Sequence, residues 1–286
     1  MAVRIVTDST CDIPPETVHE LSITVVPLQI LVRDTTYRDG VDLDSLSLCN
    51  DIKRSGHVPK TSVPPPSDFI AAYENLTIDT DEILSIHLSS GYSSTYSVAN
   101  LAAGYLEGRC RIEVLDSNSV SLGLGMMVTA AARAAQEGKT LDEVKGLVQH
   151  LTPRIRLFGK TDNFLYLLGA KRFRLTRWLI FTGKMGSPLN TKLLGEIYDG
   201  GKIRSAHIAI GEAMALNTFT RWARRFGRID EIGIAYSQDL AEAENLAERI
   251  RQLAPGAPVV VTRLGCATSI YGGPDSVLLV LNGGHQ

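Results

Sequence analysis

Three hydroxyl-rich segments hold the residues best suited to chemistry: Thr7-Asp8-Ser9-Thr10-Cys11-Asp12, Lys60-Thr61-Ser62-Val63-Pro64-Pro65-Pro66-Ser67, and Ser89-Ser90-Gly91-Tyr92-Ser93-Ser94-Thr95-Tyr96-Ser97. The first and third follow predicted strands, and the third leads into a predicted helix; ligand sites of α/β proteins gather at such turns. In the second, three consecutive prolines stiffen the chain and hold Thr61 and Ser62 in a narrow range of directions as donors. A helix N-terminus flanked by hydroxyls suits a carboxylate or phosphate, because unpaired N–H groups and the helix dipole both favour negative charge. The same residues also suit plainer duties: Ser9, Thr10 and Asp12 in a capped turn, and Ser67 as a cap after a rigid linker.

Other chemistries find less support. The P-loop pattern G-x-x-x-x-G-K-[ST] and the dinucleotide pattern G-x-G-x-x-G are absent, and Gly123-Leu124-Gly125 has no following glycine in register. Ser93, Asp8, Asp116 and six histidines supply the residue types of a serine hydrolase, but no G-x-S-x-G elbow exists. His57, His87 and His285 are not placed by spacing, and each reads as an ordinary surface or core histidine. No H-E-x-x-H motif supports a catalytic metal. Cys11, Cys49, Cys110 and Cys266 lack C-x-x-C spacing and sit in or beside apolar segments, which predicts buried free thiols in a reducing compartment.

The elements that must position these residues follow from periodicity. Short Val/Ile-rich runs alternate with stretches of helical period, which predicts an α/β class with largely parallel sheets flanked by helices. Predicted strands are Val3 to Thr7, Ile23 to Leu31, Glu82 to His87, Ile112 to Asp116, Ser205 to Ile210, Glu231 to Tyr236, Pro258 to Arg263 and Ser276 to Leu281. Predicted helices are Pro14 to Glu20, Leu43 to Ser55, Ser67 to Glu74, Thr95 to Glu107, Gly123 to Glu137, Leu141 to Leu151, Ala213 to Phe226 and Leu240 to Leu253. Thr140 is placed to cap one helix, and Gly108, Gly138 and Gly227 fit helix ends. At 286 residues the chain suits two α/β domains, and the basic stretch Pro153 to Lys160 sets the predicted boundary, giving domains 1–157 and 158–286. Hydrophobic residues at 44% allow a substantial core. A net charge of −2 argues against a nucleic-acid partner. No apolar run approaches a membrane span and the first residues lack a secretory h-region, so a cytoplasmic location is expected.

Taken in order, Thr7-Asp8-Ser9-Thr10-Cys11-Asp12-Ile13-Pro14, Lys60-Thr61-Ser62-Val63-Pro64, Ser89-Ser90-Gly91-Tyr92-Ser93-Ser94-Thr95-Tyr96 and Asp116-Ser117-Asn118-Ser119-Val120-Ser121-Leu122-Gly123-Leu124-Gly125 resemble the DegV family of fatty-acid-binding proteins. The resemblance continues through Tyr198-Asp199-Gly200-Gly201-Lys202 to Gly272-Gly273-Pro274 and so covers essentially the whole chain. It implies two α/β domains with a long-chain fatty acid between them, its carboxylate on hydroxyls and its tail in the C-terminal domain. It also implies a carrier with no catalytic residues and no cofactor, which presents the acid to a separate ATP-binding fatty acid kinase subunit. Transient contact with a membrane is compatible with that role.

Carried over residue by residue, the head-group donors are Thr61 and Ser93, with Ser62, Thr95 and Tyr271 completing the expected carboxylate site, and Arg172 and Arg204 face the kinase. Phe164 to Leu168 and Trp178 to Phe181 are candidate walls for the acyl chain, and Lys171, Arg174, Arg177 and Lys202 extend the basic docking face. The sequence departs from the family in two places. Ala170-Lys171-Arg172 stands where the family has glycine, glycine and arginine. Tyr271-Gly272-Gly273-Pro274-Asp275 stands where it has histidine, one residue, then glycine-proline-glycine. Tyr271 can donate one hydrogen bond but carries no charge, and Asp275 adds a negative charge near the expected head group. Two other readings use the same loops: a serine-dependent hydrolase or transferase acting on a small anion, and a module binding a different anion.

Overall fold

The computed structural model describes residues 2–161, 191–198 and 202–284, without the side chains of 203–205. The described chain groups into two compact units, residues 1–43 with 59–153, and residues 44–58 with 154–286. The segment 44–58 thus leaves the N-terminal part of the chain and joins the C-terminal unit.

In the first unit the order is β1 (Arg4–Asp8), α1 (Pro15–Glu20), β2 (Thr24–Val26), β3 (Gln29–Val32) and β4 (Thr35–Arg38). After α2 (Ser45–Ser55), which belongs to the other unit, come β5 (Lys60–Ser62), α3 (Pro66–Leu76), β6 (Glu82–His87), α4 (Thr95–Gly104), β7 (Arg111–Asp116), α5 (Leu122–Gln136) and α6 (Leu141–Leu151). A wholly parallel sheet runs in the order β2-β1-β6-β7, with Val6 opposite both Thr24 and Ser85. Strand order reverses direction between β1 and β6, and the carboxyl ends there are Asp8 and His87. Val6 and Ile83 pack with Phe69 and Tyr73 of α3 and Ala99 and Ala102 of α4. The adjacent Ile5 points to the other face by strand alternation and lies beside Ala132 and Ala135 of α5.

The single predicted strand Ile23 to Leu31 is two strands. Pro27 cannot donate to a ladder, and the chain changes sheets there: β2 stays parallel to β1, while β3 joins an antiparallel sheet of order β4-β3-β5. Thr140 caps α6 in a reciprocal capping box with Glu143, as its spacing predicts. Ser67 is not a cap: α3 already starts at Pro66, a residue suited to the first turn. Gly138 after α5, and Gly227 after the helix Gly211–Phe226 of the second unit, have positive φ, in keeping with helix ends.

The second unit adds β8 (Ile155–Thr161), β9 (Thr191–Tyr198), β10 (Lys202–Ile210), α7 (Gly211–Phe226), β11 (Arg228–Tyr236), α8 (Leu240–Arg251), β12 (Val259–Arg263), α9 (Cys266–Gly272) and β13 (Val277–Gly284). Its sheet has the order β10-β9-β8-β13-β11-β12. The α/β class stands, but the largely parallel arrangement holds only in the first unit. Here β11 and β12 are parallel, joined by the crossover helix α8, and every other neighbouring pair is antiparallel. Phe219, Trp222 and Phe226 of α7 and Leu246 and Ile250 of α8 cover this sheet, with Trp222 stacked on Phe158 at 5.2 Å.

The basic stretch that sets the predicted domain boundary is largely strand β8, and the second unit resumes just before it, at Arg154. Ile155 and Leu157 are buried, and the intervening cations have partners far along the chain: Arg154 on Asp230 at 2.6 Å, Arg156 on Glu196 at 3.6 Å, and the buried Lys160 on Glu242 at 2.7 and 2.8 Å. Lys192 meets Glu212 at 2.6 Å beside this pair. Burial, and then a hydrogen bond with Glu212, push the Glu242 carboxyl up to about 7. Against its own burial, Glu212 is drawn down to about 2 by hydrogen bonds with Glu242 and Lys192 and by the charges of Lys160 and Lys192.

Candidate functional site

The carboxyl edge of the parallel sheet is built around Asp8, whose side chain is fully buried. Its Oδ1 accepts from the Thr10 backbone N–H at 3.1 Å and the Thr10 hydroxyl at 2.5 Å, capping the short turn Ser9–Cys11. Its Oδ2 accepts from the Leu88 N–H at 3.0 Å and lies 3.0 Å from His87 Nδ1. One carboxylate thereby fixes both the loop after β1 and the loop after β6. Further backbone bonds bring in the loop after β7: Ser117 N–H donates to the His87 carbonyl, Ser89 N–H to the Ser119 carbonyl, and Ser121 N–H to the Thr10 carbonyl. Ser90 N–H donates to Asp116 Oδ2 at 3.1 Å.

With Asp8 as a carboxylate and His87 as a neutral imidazole, His87 donates through Nδ1 to Asp8 and presents Nε2 as an acceptor to Ser85 Oγ, 2.7 Å away. Ser85 Oγ in turn accepts from the Tyr73 hydroxyl at 2.9 Å. Burial pushes the Tyr73 phenol up, which keeps its proton in place as the end donor. Phe69 meets the His87 ring edge-on at 5.1 Å and closes it off. Asp8, His87 and Ser85 are thus spaced like a catalytic triad, but all three side chains are sealed from solvent, and both ring nitrogens of His87 are occupied. His87 is not a base for Ser93. It is the core histidine that its position at a strand end suggests.

Ser93 and Thr95 come together at the start of α4, the ten-residue helix that follows the β6 loop. Their hydroxyls share one hydrogen bond at 2.9 Å, and the Thr95 N–H donates to Ser93 Oγ at 3.3 Å. One of the two hydroxyl protons is therefore left for another acceptor. Ser94 gives no side-chain cap, and the first turn of α4 holds no acidic residue, so the positive end of the helix is not neutralised by its own side chains. On β1 and on the loop after β7, Thr7 Oγ1, Ser119 Oγ and Ser121 Oγ are buried with no hydrogen-bond partner among the described residues.

Thr61 and Ser62 lie on β5, paired to Ile30 and Gln29 of β3. Strand alternation sends the two side chains to opposite faces, with Thr61 half-buried and Ser62 exposed. Tyr271 ends α9 in the other unit and is 42% exposed. The turn after it depends on glycine: Gly273 has φ +91°, and its carbonyl accepts from both Ser237 Oγ and Ser276 Oγ at 2.8 Å. Asp275 does not stand alone, since Lys53 of α2 pairs with it at 2.5 Å. Arg204 is on β10 opposite Glu196. Arg172, Lys171, Arg174, Arg177 and both candidate acyl-chain walls lie outside the described residues.

Cys11, Cys49 and Cys266 are buried free thiols and Cys110 is a half-buried one. Burial pushes the Cys11 thiol up, which makes it unreactive. No cluster of metal-ligating side chains occurs among the described residues, and no helix there is long and apolar enough to cross a membrane.

A parallel α/β unit, with paired hydroxyls at a helix start beside its switch point, is joined in one chain to a mixed α/β unit. The model of the DegV family, described as an uncharacterised protein of that family, matches residues 2–281, and the chain belongs to it. A DegV domain-containing protein of Caldanaerobacter subterraneus subsp. tengcongensis is 31% identical over 276 residues, 96% of either chain. A DegV family protein from Thermus thermophilus, described by its fatty acid binding, is 29% identical with a TM-score of 0.83, covering 99% of this chain and all of its own. The Fatty Acid Kinase (Fak) B3 protein of Streptococcus pneumoniae, loaded with linoleic acid, shares the fold with a TM-score of 0.85 at 22% identity over 99% of both chains.

Proposed function

We propose that this chain is a carrier that binds one long-chain fatty acid and presents it to a separate ATP-binding kinase subunit, itself performing no chemistry on the acid. The observation that carries this reading is membership of the DegV family together with 29% identity, over nearly its full length, to a relative described by its fatty acid binding. The carboxylate accepts the one hydroxyl proton that the Ser93–Thr95 pair leaves over at the start of α4 and a second from Thr61, with Ser62 close in sequence and Tyr271 assigned to the same head group by the family pattern. An ionised carboxylate away from bulk water needs several donors to offset its desolvation, and the positive end of α4 adds to them. Sixteen carbons buried at about 0.8 kcal/mol per methylene contribute up to roughly 12 kcal/mol before entropic losses, so the tail sets affinity and the hydroxyls set selectivity for the acid.

Arg172 and Arg204 are assigned to kinase docking, in a cytoplasmic carrier that exchanges its cargo by transient membrane contact. The pairing of Asp275 with Lys53 supports carboxylate binding in spite of the altered C-terminal motif, because the added negative charge is compensated within its own unit. Native mass spectrometry of the purified protein, followed by identification of what denaturation releases, tests the reading. A stoichiometric fatty acid is expected. A protein that carries no lipid and takes up none when fatty acids are offered would end it.

A further inference from the structure

Helices α7 and α8 pack side by side in the second unit, and a groove of about 490 Å³ is lined by Asn217, Thr220, Arg221 and Arg224 of α7 together with Arg249 of α8 and Gln252 just beyond it. The four α7 residues recur at i, i+3, i+4 and i+7 and so share one face of that helix. Three guanidiniums converge on this groove. None of them has a carboxylate partner among the described residues. Two arginines nearby in sequence do have such partners: Arg251 pairs with Glu248 at 2.7 Å, and Arg228 with Asp230 at 2.9 Å.

Two of the three groove arginines are instead held by neutral acceptors. Arg249 donates through Nε to Asn245 Oδ1 at 3.0 Å and through a terminal nitrogen to Asn217 Oδ1 at 3.1 Å. Arg221 donates to Thr218 Oγ1 at 3.2 Å. Amide and hydroxyl acceptors hold a guanidinium in place without cancelling its charge, which leaves its remaining N–H groups aimed outward for a further acceptor. The Gln252 amide adds an uncharged donor at the groove edge. Three forked cations around a concave polar space match an anion with several oxygens and a multiple negative charge better than a single carboxylate.

We propose that this groove binds a phosphate-bearing anion of about pyrophosphate size or larger, a site separate from the hydroxyl loops and independent of the fatty-acid reading. Two sources carry that chemistry, a soluble phosphate ester and a lipid headgroup. The groove holds one apolar side chain, Leu253, among its lining residues, which favours the soluble source.

Isothermal titration of the full chain with sodium pyrophosphate at about 0.15 M salt, where exposed charges are screened beyond roughly 8 Å, tests the site. Saturable one-site binding is expected, weakened roughly tenfold or more by Arg221→Ala or Arg249→Ala. Arg221→Lys, which keeps the charge and loses the fork, is expected to weaken it as well. Arg54→Ala, which removes a cation paired to Asp51 at 2.8 Å, leaves it unchanged. Thermal unfolding of each variant confirms that it folds. Sedimentation with phosphatidylglycerol vesicles separates the sources: Arg221-dependent vesicle binding that pyrophosphate displaces supports the site with a lipid headgroup as its occupant. Absence of both pyrophosphate and Arg221-dependent vesicle binding, or equal losses in Arg54→Ala and Arg221→Ala, would overturn the proposal.

Discussion

Replacing Asp8 by Asn changes one oxygen to an NH₂ group and should cost the first unit far more than its size suggests. The wild-type carboxylate accepts from four groups, and both loops that frame the site hang on it. An Asn can keep Oδ1 toward Thr10, but its NH₂ then faces the Leu88 N–H, which is also a donor, and His87 Nδ1–H, a third. Turning the amide around transfers the clash to Thr10. His87 can relieve its share by moving its proton to Nε2, but Ser85 Oγ, already accepting from Tyr73, then loses the acceptor for its own proton.

At least one buried donor is orphaned in every arrangement, at about 1–3 kcal/mol, and charge-assisted bonds of about 1.5–3 kcal/mol are lost as well. The sum, about 3–5 kcal/mol, is a large part of the 5–15 kcal/mol that a typical domain has. Tyr73→Phe is the contrast, since it removes only the last donor of the chain while Ser85 still donates to His87, and about 0.5–1.5 kcal/mol is expected. Both tryptophans lie in the C-terminal half of the sequence, so hydrogen exchange read on peptides covering β1 and β6 is the suitable assay. Faster exchange in Asp8→Asn, reaching the loops 9–12 and 88–94, is the expected result. Protection within a factor of about five of wild type, which is about 1 kcal/mol, would refute the view of Asp8 as the hub of this edge.

Other expectations follow from the same structure. Ser93→Ala should weaken fatty-acid retention by about 1–3 kcal/mol while leaving the fold intact, measured by competition binding; equal affinity for the acid and its methyl ester in wild type would count against a carboxylate grip. Gly125→Ala should destabilise the first unit by about 1–3 kcal/mol in urea unfolding, because its Cβ would stand 2.5 Å from the Cys11 carbonyl oxygen and 3.1 Å from Ile13. A neutral effect there would mean that α5 can shift away from the Ser9–Cys11 turn. Glu242 has its carboxyl raised from about 4.5 to about 7 by burial, so its contribution to stability is full below its ordinary value and fades as pH rises through 7. Relative to Glu242→Gln, the wild-type second unit should therefore lose thermal stability between pH about 4.5 and 7, read by Trp222 fluorescence; a difference that grows over this window would contradict the assignment.

Much of this was legible in local pattern. Strand β6 and helix α6 are set by an Ile/Leu run and by the Thr140–Glu143 box, both local signals, and the structure places them at Glu82–His87 and Leu141–Leu151 as predicted. The break at Pro27 was legible in principle, since a residue without an N–H interrupts any ladder. Strand β8 was not: its alternating cations look like a domain boundary until Asp230, Glu196 and Glu242 neutralise them from 40 to 82 residues away. Helix α9 escaped because it is seven residues long and Gly265 gives it no side-chain cap.

At the site, the hydroxyl segments stood out by composition; those after β1 and β6 lie at the switch point of the parallel sheet, while Thr61 and Ser62 lie on β5 of another sheet. The buried chain from Tyr73 to Asp8 did not stand out. It joins residues 12, 2 and 79 positions apart, and only the pairing of β1 with β6 brings Asp8 and His87 together.

The most direct measurement is a crystal structure of the protein grown with palmitate. The account predicts one acid whose carboxylate oxygens lie within about 2.6–3.2 Å of Ser93 Oγ and Thr61 Oγ1, at the start of α4. A carboxylate bound elsewhere, with the Ser93–Thr95 pair in contact with solvent alone, would contradict it.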